Sequence, residues 1–179
     1  MHSLLITARL VHGATAGTVL LLDGLTRRLP GLADDPLLGV GSPVLAVARE
    51  RIADGQVYLA FVWPLGGRHA PDGHTRVTVL AAPDDVPALV VGAVVLSSGP
   101  DLHGLTPREL EVLGLLVDGS SNQEIARALV VAPRTVAAHI EHLLAKLAVS
   151  TRTLAAVHAY REGLYVPAAA GAGHAGHVP

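Results

Sequence analysis

The 179-residue chain has no cysteine, one phenylalanine, one tryptophan and one lysine. The missing cysteine excludes disulfides, thiolate nucleophiles and cysteine-ligated zinc. With so few aromatics, any interior has to be built from Leu, Val and Ala. No apolar run approaches the roughly 18 residues of a membrane span, and no charged segment leads into a cleavable apolar one, so a soluble cytoplasmic protein is the expectation. A strong charge of either sign is also missing. The formal net charge is −2, without the basic surplus that nucleic-acid binding usually leaves in a composition.

What is present is concentrated between Gly104 and Val166. Thr106-Pro107-Arg108-Glu109 reads as a capping box with proline at the first helical position. Leu110, Leu113, Leu116 and Val117 give the helix it opens an apolar face, and Gly119 ends it. Ser121-Asn122-Gln123-Glu124 repeats the box and opens a short helix with Ile125, Ala126 and Leu129 inward. After a turn, Pro133 starts a third helix in which Val136, Ile140, Leu143 and Leu147 recur at i, i+4, i+7 and i+11. A fourth helix, from about Thr151 to Glu162, is read with Leu154, Val157 and Tyr160 as its apolar edge, ending at Gly163. The four pack as a small bundle.

The third helix carries a second stripe. Thr135, His139, His142 and Lys146 share the same spacing about 100° from the first, beside Arg134 and the small residues Ala137 and Ala138. Short donors on a face cleared by alanines, on the second of two tightly joined helices, suit entry into a DNA major groove, because bulky side chains there would hold the backbone off the bases. The bland alternative is a solvated helix face. His139 and His142 are also spaced to share a metal, but no further carboxylate or cysteine ligand is placed to join them.

The run LTPRELEVLGLLVDGSSNQEIARALVVAPRTVAAHIEHLLAKLAV, continuing through TRTLAAV to about residue 166, resembles the LuxR-type (NarL/FixJ-type) helix-turn-helix domain of bacterial transcriptional regulators. The resemblance covers about 62 residues and implies an all-α four-helix fold, with the recognition helix at about 133–147 and no enzymatic activity. It places Arg134, Thr135, Val136, His139 and Lys146 at or near DNA and sets Arg152 against a phosphate, and Ala138 and His142 on the same helix complete the expected DNA-binding set. It assigns Leu154, Val157 and His158 on the fourth helix to a homodimer contact. Three residues depart from the family pattern: Ala137 where lysine is frequent, Ala132 where a serine cap is frequent, and Ala148 where glycine usually closes the third helix. Between Asp101 and Val166 six Arg and Lys face seven Asp and Glu, a net of −1. So few cations predict weak binding by a monomer and a need for dimers or an effector.

Residues 1–98 read as a smaller α+β unit. Segment 2–11 is expected to be a helix. Gly17–Leu22 and Thr26–Leu29 form a hairpin around Asp23-Gly24; Ala33–Val40 is a short helix or loop; Ser42–Ala53 is a helix. Strands follow at 56–63, 75–80 and 89–97. Two strands, a helical middle and three strands is the element order of a PAS-type sensor, with a GAF-like domain as the alternative, on fold-level analogy alone. The early first strand suggests a truncated module. Arg49, Glu50 and Arg51 read as a solvated helix face, and Tyr58 and Trp63 as core or pocket lining. The turn around Pro71-Asp72-Gly73, flanked by His69 and His74, assembles no catalytic pattern. Residues 99–103 form a linker and 167–179 a disordered tail.

The expectation is therefore an α+β chain in which a PAS/GAF-like antiparallel sheet with helices precedes a LuxR-type domain at 104–166. It would act as a DNA-binding transcriptional regulator, with no cofactor and no metal. Operator double-stranded DNA, a second copy of the chain, an unidentified small-molecule effector and RNA polymerase are the candidate partners, and the membrane is not one. The competing reading is a dimerisation or protein-interaction module that has lost DNA. An enzyme built on residues 1–98 is the third reading, and no nucleophile, base or metal site in the sequence supports it.

Overall fold

The computed structural model describes residues 11–66, 73–84 and 86–168. The expected helix at 2–11 lies outside them except for Val11, as do the Pro71-Asp72-Gly73 turn except for Gly73, and the tail beyond Ala168. The described residues contain a five-stranded antiparallel sheet and five α-helices. They run β1 (Ala14–Leu21), β2 (Thr26–Arg28), a 3-10 turn (Pro36–Leu38), α1 (Pro43–Ala53), β3 (Tyr58–Leu65), β4 (Gly73–Ala81) and β5 (Val90–Ser98). The helices α2 (Pro107–Val117), α3 (Asn122–Leu129), α4 (Pro133–Lys146) and α5 (Arg152–Glu162) follow. The overall class is α+β.

The strand order is β2-β1-β5-β4-β3, every neighbour antiparallel. β1 and β5 are therefore partners across almost the whole length of the sheet half, and β2 and β3 are its edges. Strand alternation sorts the side chains. Ala16, Leu20, Val77, Val79, Val94, Leu96, Leu59, Phe61 and Trp63 belong to the main core, which also holds Val44, Val47 and Ala48 of α1. Val19, Leu80, Ala93 and Val95 join Leu29 in a second buried cluster. Trp63 is core, edge-on to Phe61 at 6.3 Å between ring centres, whereas Tyr58 at the start of β3 is largely exposed.

Ser42 caps α1 by accepting from the Val44 amide, with Pro43 at the first position as the sequence predicts. The solvated-face reading of α1 needs correction. Arg49 donates to the Leu21 and Leu25 carbonyls and so ties α1 to the β1–β2 hairpin, at 2.7 and 3.0 Å. Arg51 pairs with Asp118 beyond the end of α2 at 2.7 Å. Only Glu50 is plainly exposed.

The main core does not stop at the linker. It continues through Leu105, Leu110, Leu113, Ile125, Val136, Leu143 and Tyr165. In α5 the buried residues are Ala155 and Ala159, one turn apart, and Leu154, Val157 and Tyr160 are exposed. The expected apolar edge is therefore not the packed one. Helices approach closely through small residues, and α5 lies on α2 and β3 by its alanines.

Candidate nucleic-acid interface

Both capping boxes form. Thr106 Oγ1 accepts from the Glu109 amide and Glu109 accepts from the Thr106 amide at 2.7 Å; Ser121 and Glu124 repeat the exchange. These contacts settle where α2 and α3 begin. The turn into α4 is made by Val130, in the left-handed region at φ 54° and 90% exposed. Ala132 leaves the start of α4 without a side-chain cap. At the far end, Ala148 adopts φ 52°, where a Cβ crowds the following carbonyl.

Val136, Ile140, Leu143 and Leu147 are buried as the spacing predicts. That burial removes Val136 from the expected DNA-contacting set, because its side chain points into the core. Thr135 and His139 are half-buried at the shoulder of the helix. The outward ridge, opposite the core, is instead Arg134, Ala138, Glu141, His142 and Ala145, all exposed. Arg134 makes no ion pair among the described residues.

Two expected phosphate ligands already have partners inside the protein. The Lys146 ammonium donates to Glu109 Oε2 at 2.7 Å, and the Glu109 side chain is only 4% exposed. Burial by itself raises the Glu109 pKa, but hydrogen bonds from Lys146 and Thr106 outweigh it and hold the carboxyl below its ordinary value. Lys146 thus ties the last turn of α4 to the first turn of α2. Arg152 donates to the Ser120 carbonyl and to Asn122 Oδ1, bracing the start of α3. Arg108 donates to Glu111 and to the Leu129 carbonyl, which closes the other end of α3.

Sequence reading missed Glu109 as a buried anchor and Glu141 and Ala145 as members of the outward ridge. A buried carboxylate was findable in principle, since Glu109 lies beside Leu110 on the inner side of an amphipathic helix. Its pairing with Lys146, 37 residues on, leaves no local pattern. The expected dimer residues Leu154 and Val157 are exposed and His158 is half-exposed.

Residues 103–159 match the model of the luxR family of bacterial regulatory proteins. These residues belong to that family. Within the matched stretch the chain is 50% identical over 62 residues to the transcriptional regulatory protein LiaR of Bacillus subtilis. It is 45% identical over 62 residues to DegU of Brevibacillus brevis, also a transcriptional regulatory protein. Over 60 residues it is 45% identical to the response regulator VraR of Staphylococcus aureus. The matches span 34 to 35% of this chain and 26 to 29% of those relatives. Over most of its length the chain is also similar to VqmA of Vibrio cholerae, solved as a dimer in the absence of target DNA. There the identity is 20% and the TM-score 0.41, over 90% of this chain and 89% of that one. VqmA bound to DPO gives 21% and 0.41 over the same shares. The matched segment lies within the helical part of the chain. It contains both capping boxes, the Val130 turn and all of α4.

Proposed function

We propose that this chain is a sequence-specific DNA-binding transcriptional regulator that places α4 in the major groove. The observation carrying the reading is the ridge of α4. Arg134, Ala138, His142 and Ala145 are exposed, and the alanines at 138 and 145 leave the helix backbone room to approach base edges. Arg134, at the first turn and without an ion pair among the described residues, is the cation for a phosphate or a guanine edge, and Thr135, His139 and His142 supply donors around it. Glu141 accepts from a cytosine amino group or repels a phosphate, so it narrows the sequences tolerated. Lys146 and Arg152 hold the helix-turn-helix together as well as facing DNA.

The dimer contact in this reading is α5 through Leu154, Val157 and His158, a face on which Leu154 and Val157 are exposed among the described residues. Residues 1–98 act as a PAS-type unit, supported by the strand order β2-β1-β5-β4-β3 with a helical passage between β2 and β3; a GAF-like unit is the alternative. The linker is 99–103, the DNA-binding unit 104–166 and the tail 167–179. A small-molecule effector and RNA polymerase are the further partners of such a regulator. Among the described residues no helix is long and apolar enough to cross a membrane; in this reading the protein works in the cytoplasm, where its DNA is.

The test is selection of sheared genomic DNA by the purified protein at two salt concentrations, alongside the Arg134→Ala/His142→Ala and Thr135→Ala/His139→Ala variants. Enrichment of a palindromic site that both variants lose is the expected result. A second reading, a dimerisation module without DNA, draws on the engagement of Lys146 by Glu109. Dimers with no salt-sensitive DNA affinity would establish it instead.

A further inference from the structure

Of the ridge residues Arg134, Ala138, Glu141, His142 and Ala145, only Glu141 is acidic, and it is exposed. Its neighbours one turn away on the surface of α4 are Ala137, Ala138, Leu144 and Ala145, so no cation of its own helix faces it. His142, the next residue, projects about 100° further round the helix. Among the described residues Glu141 enters no ion pair. A bare carboxylate therefore stands in the middle of the face read as meeting a polyanion.

Arg134 and Glu141 are nearly two full turns apart, within about 20° of each other around the helix and about 10.5 Å apart along it. A helix lying along the major groove presents such a pair to base edges about three steps apart, at about 3.4 Å per base pair. What a carboxylate meets there depends on the base. Guanine offers the acceptors N7 and O6, and thymine offers O4, and all of these repel it. Adenine sets an amino donor beside the N7 acceptor, whereas cytosine offers its N4 amino donor with no acceptor on its own edge. Of the four bases, cytosine is the one that a carboxylate engages without opposition.

We propose that Glu141 is the base-selecting residue of this ridge: it accepts from the N4 amino group of a cytosine within about three base pairs of the pair that Arg134 contacts, and its charge weakens binding to every duplex that lacks one. The inference rests on the DNA-binding reading and deepens it by fixing which base the carboxylate takes. Lys146 and Arg152 are engaged inside the protein, which limits the attraction to phosphates that any sequence supplies. A contact that distinguishes one base from the others then has a large share in separating an operator from other DNA.

The test is selection from random-sequence duplexes by the full chain and by its Glu141→Gln and Glu141→Ala variants, followed by affinities for the enriched sites. Wild type should enrich a site with cytosine at one fixed position. Glu141→Gln should change that position to adenine, whose N6 and N7 an amide engages together, and leave the rest of the site as it is. Glu141→Ala should lower the preference for cytosine there at least about fivefold and bind unrelated duplexes more tightly than wild type does. Both variants should unfold close to the wild-type midpoint, since the exposed side chain holds nothing in place, and this separates lost selectivity from lost fold. The same site enriched by all three proteins, or a wild-type position that responds to the variants but prefers a base other than cytosine, would overturn the proposal and leave the DNA-binding reading intact. No enrichment by any of the three would overturn that reading and this inference with it.

Discussion

The starts of α2 and α3 carry the same four-residue device, and the fold uses it in two different ways. Ser121 and Glu124 satisfy each other at the surface, and Glu124 is fully exposed there. Thr106 and Glu109 make the same exchange, but Glu109 is buried and also takes the Lys146 ammonium. One motif is a helix start and nothing more; the other is also the anchor that positions the last turn of α4. The start of α4 has neither, because Ala132 cannot cap. The box therefore identifies an element boundary equally well at α2 and α3, while its energetic weight depends on what the rest of the chain brings to it.

The comparison breaks first at Lys146. Lys146→Met leaves the Glu109 carboxylate buried without its cation and should cost about 3 kcal/mol in urea unfolding. Glu124→Gln should leave the midpoint nearly unmoved. Equal effects would mean that burial does not distinguish the two boxes.

Acid sharpens the same contrast. The Glu109 carboxyl is held below its ordinary value, so its contribution is fully present above the unfolded carboxyl pKa, near 4.5, and is lost as pH falls through the lower folded value. Stability measured from pH 6 down to pH 3 should decline in wild type, and Glu109→Gln should remove that part of the decline.

Next in size are the helix ends made without glycine. Ala148→Gly and Val130→Gly should each stabilise by about 1 kcal/mol, since each relieves a Cβ in the left-handed region; thermal midpoints check this. The Val130 change should show the larger gain if the β-branch adds to the strain. Smallest is Ala132→Ser, which gives α4 the cap that α2 and α3 already have and should add about 0.5 to 1 kcal/mol. A loss of stability on capping would show that the chain entering α4 is constrained by something other than its missing hydrogen bond.

Much of the helical half was legible in advance. The boxes at Thr106 and Ser121, the prolines at 107 and 133 and the stripe from Val136 to Leu147 all act within one or two turns, so spacing along the chain is sufficient to read them. The strands were legible as β-rich runs, and observed boundaries differ by a few residues. The candidate interface was read less completely. Val136 fits the core stripe and the family's DNA-facing positions equally well in sequence, and only burial decides between them. Arg49 and Arg51 look like a solvated face because their partners, Leu21, Leu25 and Asp118, lie 28, 24 and 67 residues away. Leu154, Val157 and Tyr160 look like an inward edge until the alanines beside them prove to allow the closer approach.

By itself the sequence determined the helix starts, the inward stripe of α4, the hairpin at Asp23-Gly24 and the aliphatic character of the core. All of these follow from interactions between residues near in sequence or from composition. The tertiary structure alone decided that Lys146 serves Glu109, that α5 packs by alanine and that the sheet and the helices share one core. Each is a meeting of segments brought together by chain closure, and a side chain's spacing to its neighbours carries no record of which distant group it will meet.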